Sequence, residues 1–188
     1  MTQAPRTPVR TLHQGEFLRL QRHGHWEYVQ RLATGGAAAI LAVTDQDELV
    51  LVEQFRIPVQ ARCIELPAGV IGDSAEFAGE SAKVAARREL LEETGFDCRD
   101  IEPLFEGPSA PGLSSEVSHV VRARGLRRVH AGGGVDGEQI DVHVVPLSSV
   151  HDWLLRKQRT GCPVEPKVWA ALYWLLREGG AEGRSSHK

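Results

Sequence analysis

The chain has 188 residues, 41% of them hydrophobic and 25% charged, with 22 Lys+Arg against 25 Asp+Glu for a formal net charge of −3. That length fits one domain, the composition excludes a disordered chain, and the missing basic excess argues against nucleic-acid binding through phosphates. No apolar run reaches the roughly 18–20 residues of a membrane helix, the N-terminus has no secretory apolar stretch, and Cys63, Cys98 and Cys162 form no CxxC, so a reduced cytoplasmic protein without disulfides or zinc is expected.

Residues 1–8 carry two prolines and few apolar groups, which predicts a loose start. Two strand-like runs follow, Val9–Leu20 and Trp26–Leu32, with a polar turn at Gln21–His25. Ala37–Val43 and Glu48–Gln54 flank Asp45-Gln46-Asp47 and read as a hairpin. Cys63–Leu66 is short and apolar, limited by Pro67. Residues 80–94 are rich in Ala, Leu, Arg and Glu, contain no Gly or Pro, and stop at Gly95, so they predict a helix. Strand-like runs recur at Ile101–Phe105, Val117–Arg122 and Ile140–Val145. Two helices close the chain: Ser149–Lys157, with Ser148 as cap, and Glu165–Arg177, with Pro166 in its first turn. Trp169, Leu172, Tyr173 and Leu176 then read as core at helical spacing, and Gly179-Gly180 begins a frayed tail. Strands, one helix, more strands and two helices do not alternate strictly, so an α+β fold with a mixed sheet covered by helices is expected.

The chemistry concentrates in Gly79–Phe96. Glu89, Glu92 and Glu93 stand at i, i+3 and i+4 and put three carboxylates on one helical face, with Arg88 four residues before Glu92. Such carboxylates repel one another when partly buried, and a divalent cation relieves the repulsion. Hard oxygen donors suit Mg²⁺ or Mn²⁺.

This segment resembles the Nudix box, G-x5-E-x7-R-E-U-x-E-E-x-G-U, where U is a bulky aliphatic residue. From Glu80 through Arg88-Glu89, Leu90, Glu92-Glu93, Gly95 and Phe96 the match is complete. The leading glycine departs: its place is Ser74, and the nearest candidate is Gly69 in Glu65–Gly69, ELPAG, which implies five extra residues before Glu80. Flanking segments resemble the ADP-ribose pyrophosphatase branch of the family. Val52–Pro58, VEQFRIP, looks like the strand that brings a substrate-binding arginine, here Arg56, to the diphosphate. ELPAG resembles the turn whose alanine carbonyl, here Ala68, is a metal ligand. Ser109–Glu116 looks like the SPG-x-x-x-E loop, with Pro111 sixteen residues after Gly95. Val135–Val150 resembles the loop and strand that carry an acidic catalytic group and a further metal-site glutamate.

The resemblance implies an α/β/α Nudix-type sandwich over residues 36–180, preceded by an antiparallel N-terminal strand pair in residues 1–35 that packs on a partner in a homodimer, and followed by a disordered tail at 181–188. It implies Mg²⁺-dependent hydrolysis of ADP-ribose or a related nucleoside diphosphate sugar to AMP and ribose 5-phosphate. The alternatives are another diphosphate, such as GDP-mannose or UDP-glucose, and a non-catalytic nucleotide-sensing module. The metal ligands it implies are Ala68, Glu89, Glu92, Glu93 and Glu138. Asp136, Glu138 and Glu93 carry the catalysis, with Asp136 as base where related enzymes often have glutamate. Arg56, Glu116 and Pro111 contact substrate, while Arg88 and Glu80 support the carboxylates. The Gly132–Gly134 run and Gly137 would let the acidic loop close.

Overall fold

The computed structural model describes residues 7–33, 35–135 and 137–185. In chain order the strands β1 (Arg10–Gln14), β2 (Leu18–His23) and β3 (Trp26–Arg31) form an antiparallel meander. The expected first strand, Val9–Leu20, is therefore two strands: the Gly15 N–H donates to the Leu18 carbonyl at 2.8 Å and turns the chain there. Next come β4 (Ala37–Ala42), β5 (Glu48–Arg56), a 3-10 turn at Ile57–Val59, β6 (Ala61–Glu65) and β7 (Ala68–Val70). Helix α1 (Ala82–Thr94) is followed by β8 (Phe96–Asp97), β9 (Asp100–Pro108), β10 (Val117–Arg124), β11 (Arg127–Arg128) and β12 (Asp141–Pro146). Helices α2 (Val150–Arg159) and α3 (Pro166–Ser185) close the chain.

Four strands in the order β7-β4-β10-β9 make a mixed sheet, with β4 and β10 parallel and the other pairs antiparallel. A second sheet, β12-β5-β6, is antiparallel. The expected hairpin at Asp45–Asp47 turns as predicted, with the Asp47 N–H on the Thr44 carbonyl, but β4 and β5 share only the Val43–Leu49 bridge. β4 takes β7 and β10 as neighbours instead, so the two strands part into different sheets.

Alternation of side chains along a strand explains the layers. On β4, Ala38, Ile40 and Ala42 pack with Ala85, Ala86 and Leu90 of α1, while Ala39 and Leu41 pack with Val150 and Leu154 of α2 and Val168 and Ala171 of α3. β5 divides the same way, Val50 to the α1 side and Leu49 and Leu51 to the other. The result is the expected α/β/α sandwich. Each fully buried Leu or Ile contributes about 1.5–3 kcal/mol.

Helix α3 departs from expectation. It runs on through Gly179-Gly180 to Ser185, since glycine weakens a helix by only about 1 kcal/mol without forbidding it. Residues 186–188 of the expected tail lie outside the described residues. The inward stripe of α3 is Val168, Ala171, Leu172 and Leu175, joined by Trp169. Tyr173 and Leu176 are rotated off it and stand 63% and 75% exposed, so they are not core. Among the described residues no helix is long and apolar enough to cross a membrane.

Candidate active site

Helix α1 is fixed at both ends. Ser81 caps its start, its hydroxyl accepting the Val84 N–H. Gly95 ends it at φ 73° with its N–H on the Leu91 carbonyl, and a β-carbon there would collide with the His130 carbonyl. The run Ala131–Gly134 then folds back over this terminus. The Gly133 and Gly134 N–H groups donate to the Glu93 and Glu92 carbonyls at 2.8 and 3.2 Å, which satisfies acceptors that a helix end otherwise leaves open. These glycines, expected to supply loop movement, are therefore fastened to α1 and work as its C-terminal cap.

The face so held carries Glu89 and Glu93, which are 9% and 4% exposed. Glu93 Oε2 accepts the Ala68 N–H at 2.9 Å. Burial, and after it the neighbouring Glu89 and Glu138 charges, push the Glu93 carboxyl up to about 8 against the pull of Ala68. Burial raises Glu89 to about 7, with Glu92 adding to the rise and Arg88 opposing it. The Glu89 carboxylate lies where a β-carbon on residue 69 would be, so Gly69 is required for its position. Gly69 thus stands on β7 directly against the box helix.

Arg88 gathers the remaining acids. Its guanidinium lies 2.8 Å from Glu89, 3.0 Å from Glu80 and 3.2 Å from Glu92. Its carbon stacks 4.1 Å from the centre of the Phe77 ring, within the stretch that holds the extra residues. Glu80 Oε1 also accepts the Gly72 N–H at 3.1 Å, which ties that stretch to the helix.

Of the other expected site residues, Arg56 and Glu138 are felt electrostatically at Glu93, while Glu116 and Pro111 belong to the loop before β10. Arg56 is not a free cation: its Nε and terminal nitrogen bind both oxygens of Glu65 at 2.7 and 2.6 Å. Its pKa is raised, first by that hydrogen bond and further by the charges of Glu65, Glu93 and Glu165. Glu138 Oε2 accepts the Val135 N–H at 3.2 Å and is felt electrostatically at Glu93. Glu116 accepts from Arg31 Nε at 2.6 Å and from the Ser109 hydroxyl at 3.3 Å. Its loop pairs with β3, through the Val29 N–H on the Leu113 carbonyl and the Ser115 N–H on the Val29 carbonyl. Pro111 is exposed at the outer bend of that loop. Asp136 lies outside the described residues.

A model of the Nudix domain family matches residues 33–163 of the chain. The chain belongs to the Nudix family. It is 33% identical to the methanol dehydrogenase activator of Bacillus methanolicus over 124 residues, which are 65% of this chain and 64% of that protein. It is 37% identical to the ADP-ribose pyrophosphatase of Bacillus subtilis (strain 168) over 91 residues, 48% of this chain and 46% of the relative. It is 33% identical to the GDP-mannose pyrophosphatase of Enterobacter sp. (strain 638) over 152 residues, 77% and 74% of the two chains. The match thus spans less than two thirds of the first of these relatives and about half of the second. The crystal structure of an ADP compounds hydrolase shares the fold, with a TM-score of 0.70 at 23% identity over 94% of both chains.

In this Nudix chain the box brings Glu80, Arg88, Glu89 and Glu92 into one hydrogen-bonded group and turns Glu93 toward β7. Among the described residues no three His, Cys, Asp or Glu side chains converge as a preformed metal cage. The donor chemistry nevertheless fits a hard divalent cation: Glu89 and Glu93 are buried carboxylates whose proton affinity is raised, and the charges of Glu89 and Glu138 both add to the rise at Glu93. Glu65 and Arg31 were not singled out by sequence. An acidic residue on a strand next to an expected phosphate-binding arginine is the signal that could have found Glu65.

Proposed function

We propose that this protein is a Mg²⁺-dependent hydrolase of the diphosphate bond in ADP-ribose or a related nucleoside diphosphate sugar, giving AMP and ribose 5-phosphate from ADP-ribose. The observation that carries the reading is the buried pair Glu89 and Glu93 on the Nudix helix, with Glu138 near Glu93 and Arg56 within electrostatic reach of it. Glu89, Glu92, Glu93, Glu138 and the Ala68 carbonyl would hold Mg²⁺ or Mn²⁺, which when bound supplies charge neutralisation and an acidified water.

The chain's own groups do the rest. Arg56 offers the diphosphate the guanidinium edge that Glu65 leaves free, and the two bonds to Glu65 hold the guanidinium in a fixed plane. Arg88 orients Glu89 and Glu92. Asp136 takes the proton of the attacking water. Glu116, in the loop that includes Pro111, stands at a cavity of about 260 Å³ shared with Arg31 and His119, and this cavity takes the nucleoside part. The working form is a homodimer joined through the N-terminal meander.

GDP-mannose as substrate is a second reading, favoured by the longer alignment with a GDP-mannose pyrophosphatase. Turnover with Mg²⁺ against ADP-ribose, GDP-mannose, UDP-glucose and a nucleoside triphosphate tests the proposal. Cleavage of a sugar diphosphate well above the triphosphate supports it, and no turnover of any of them refutes it.

A further inference from the structure

The segment between β7 and α1 holds the extra residues by which this chain departs from the Nudix box. It closes on itself and then on Arg88. The Glu80 N–H donates to the Phe77 carbonyl at 3.0 Å, and a β-carbon on Gly72 would meet that carbonyl oxygen at 3.6 Å. The Gly72 N–H donates to Glu80 Oε1 at 3.1 Å, and Arg88 donates to the same oxygen at 3.0 Å. The turn so formed lays Phe77 against Arg88, with the guanidinium carbon 4.1 Å from the ring centroid. Asp73, from the same segment, has Oδ1 3.9 Å from a terminal nitrogen of Arg88.

The ring limits where the guanidinium can go. The Arg88 side chain is 15% exposed, and its Nε is buried without a hydrogen bond among the described residues. A cation that loses water and finds no acceptor is destabilised, and the electron-rich face of an aromatic ring offsets part of that loss. An aliphatic side chain would fill the space without that attraction. Edge and face therefore divide the work. The terminal nitrogens reach Glu89 at 2.8 Å, Glu80 at 3.0 Å and Glu92 at 3.2 Å, while the ring covers the face. Arg88 serves three carboxylates in this one orientation, with Asp73 a fourth close by. A guanidinium that tilted out would leave those acids to repel one another apart.

We propose that Phe77 is a positioning residue for the carboxylate helix: it holds the Arg88 guanidinium in the plane from which Glu89 and Glu92 are presented together to a divalent cation. The extra segment is then a clamp on the box arginine. The proposal rests on the metal-dependent reading given above.

Phe77→Leu and Phe77→Tyr separate positioning from packing, since Leu keeps an apolar side chain without the aromatic face and Tyr keeps the face. Mn²⁺ binding is read without substrate, by titration against the paramagnetic resonance of the free ion. Phe77→Leu is expected to weaken Mn²⁺ binding about threefold to thirtyfold, the range of a cation–π contact from exposed to desolvated, and Phe77→Tyr to stay within about twofold of wild type. In turnover, Phe77→Leu should raise the Mg²⁺ concentration for half-maximal rate by a similar factor, with KM for the diphosphate within about twofold. The contact itself is read by NMR of the metal-free protein. The Arg88 Nε–H signal, identified by its loss in Arg88→Lys, should lie upfield of the other arginines in wild type and Phe77→Tyr, and among them in Phe77→Leu. A Phe77→Leu protein that binds Mn²⁺ as well as wild type or more tightly overturns the proposal, and a lowered melting temperature alone would then make Phe77 a packing residue only. A Phe77→Tyr protein as impaired as Phe77→Leu overturns it too. If Phe77→Leu does not fold, the wild-type Nε–H signal decides: a position among the other arginines overturns the proposal, and an upfield one with intact Mn²⁺ binding by Phe77→Tyr supports it. A wild type that binds Mn²⁺ but hydrolyses no sugar diphosphate refutes the proposed function and leaves the role of Phe77 standing. A wild type that binds no Mn²⁺ refutes both.

Discussion

Glu93 and Ala68 meet at a single hydrogen bond, the Ala68 N–H on Glu93 Oε2 at 2.9 Å. Ala68 is the first residue of β7 and pairs with Ala39 on β4, so this bond registers the carboxylate face of α1 against the central sheet. The same bond supplies one donor to an acid that burial would otherwise leave uncompensated.

Changing Glu93 to Gln separates those two roles. The amide oxygen keeps the Ala68 bond and the charge is removed. We expect kcat to fall by at least about two orders of magnitude, roughly 2.7 kcal/mol of barrier, while the melting temperature of the metal-free protein does not fall. Steady-state turnover with Mg²⁺ and a metal-free melt measure both. Near-normal turnover in the folded variant would remove Glu93 from the metal site.

The box was legible because its elements are local. One helix period fixes which of Glu89, Glu92 and Glu93 share a face, and Gly95 marks the stop without any knowledge of the partner sheet. What was not legible depends on pairing between distant segments. Nothing in Ala37–Gln54 says that β4 prefers β10 and β7 to β5. Nothing in the Gly132–Gly134 run says that its N–H groups will cap α1, which is why it read as a hinge. The inward stripe of α3 was misread by part of a turn, because Tyr173 and Leu176 fit helical spacing as well as Leu172 and Leu175 do, and only the docked sheet chooses between them.

The raised carboxyls give a pH dependence of stability with a definite sign. Glu93 near 8 and Glu89 near 7 in the folded protein compare with an ordinary 4.5, so between those values the folded chain binds more protons than the unfolded one. Their contribution to stability is full below about pH 4.5 and is lost as pH rises through about 8. Glu53 does not blur this window: burial works to raise it, but hydrogen bonds from Lys157, His143 and Arg62 bring it down to about 2, so it stays ionised throughout. Mg²⁺ should therefore raise the melting temperature more near pH 8.5 than near pH 6. Melts at both values with and without the ion check this, and an equal effect at both would contradict it.

Gly69→Ala tests the fit between β7 and α1. A methyl group there would overlap the Glu89 carboxylate. Overpacking of this kind costs about 1–3 kcal/mol. We expect a lower melting temperature together with a weaker response to Mg²⁺, because Glu89 must leave its place. Ala at position 107, a strand glycine without a positive φ where a β-carbon meets nothing within 4 Å, is the matched control for glycine replacement as such. Equal effects at the two positions would count against the Glu89 contact.

The N-terminal meander exposes Leu12, Phe17, Leu18 and Trp26, at 40, 65, 43 and 52%. We expect a homodimer through this face at micromolar concentration. Sedimentation velocity should show it for the wild type, with Trp26→Glu shifted to the monomer. A wild-type monomer at that concentration would refute the dimer.

The acidic loop offers two candidates for handling the attacking water, and substitution tells them apart. Glu138 lies close enough to Glu93 to raise its proton affinity, which is the position of a group that shares a cation with it. Its Oε2 is steadied by the Val135 N–H, so Gln can occupy the same place with less charge. Glu138→Gln should make the rate depend more steeply on Mg²⁺ concentration. Asp136 has no such expected role at the cation. If it is the base it acts mainly in the transition state, and Asp136→Asn should lower kcat while KM stays within a few-fold. Rates measured across a Mg²⁺ series, with kcat and KM resolved for both variants, separate the assignments. Normal turnover by Asp136→Asn beside a collapse in Glu138→Gln would move the base to Glu138 or Glu116. Glu116 would then have to act against its bond to Arg31, so Arg31→Ala should alter the pH profile of kcat in that case and leave it unchanged if Asp136 is the base.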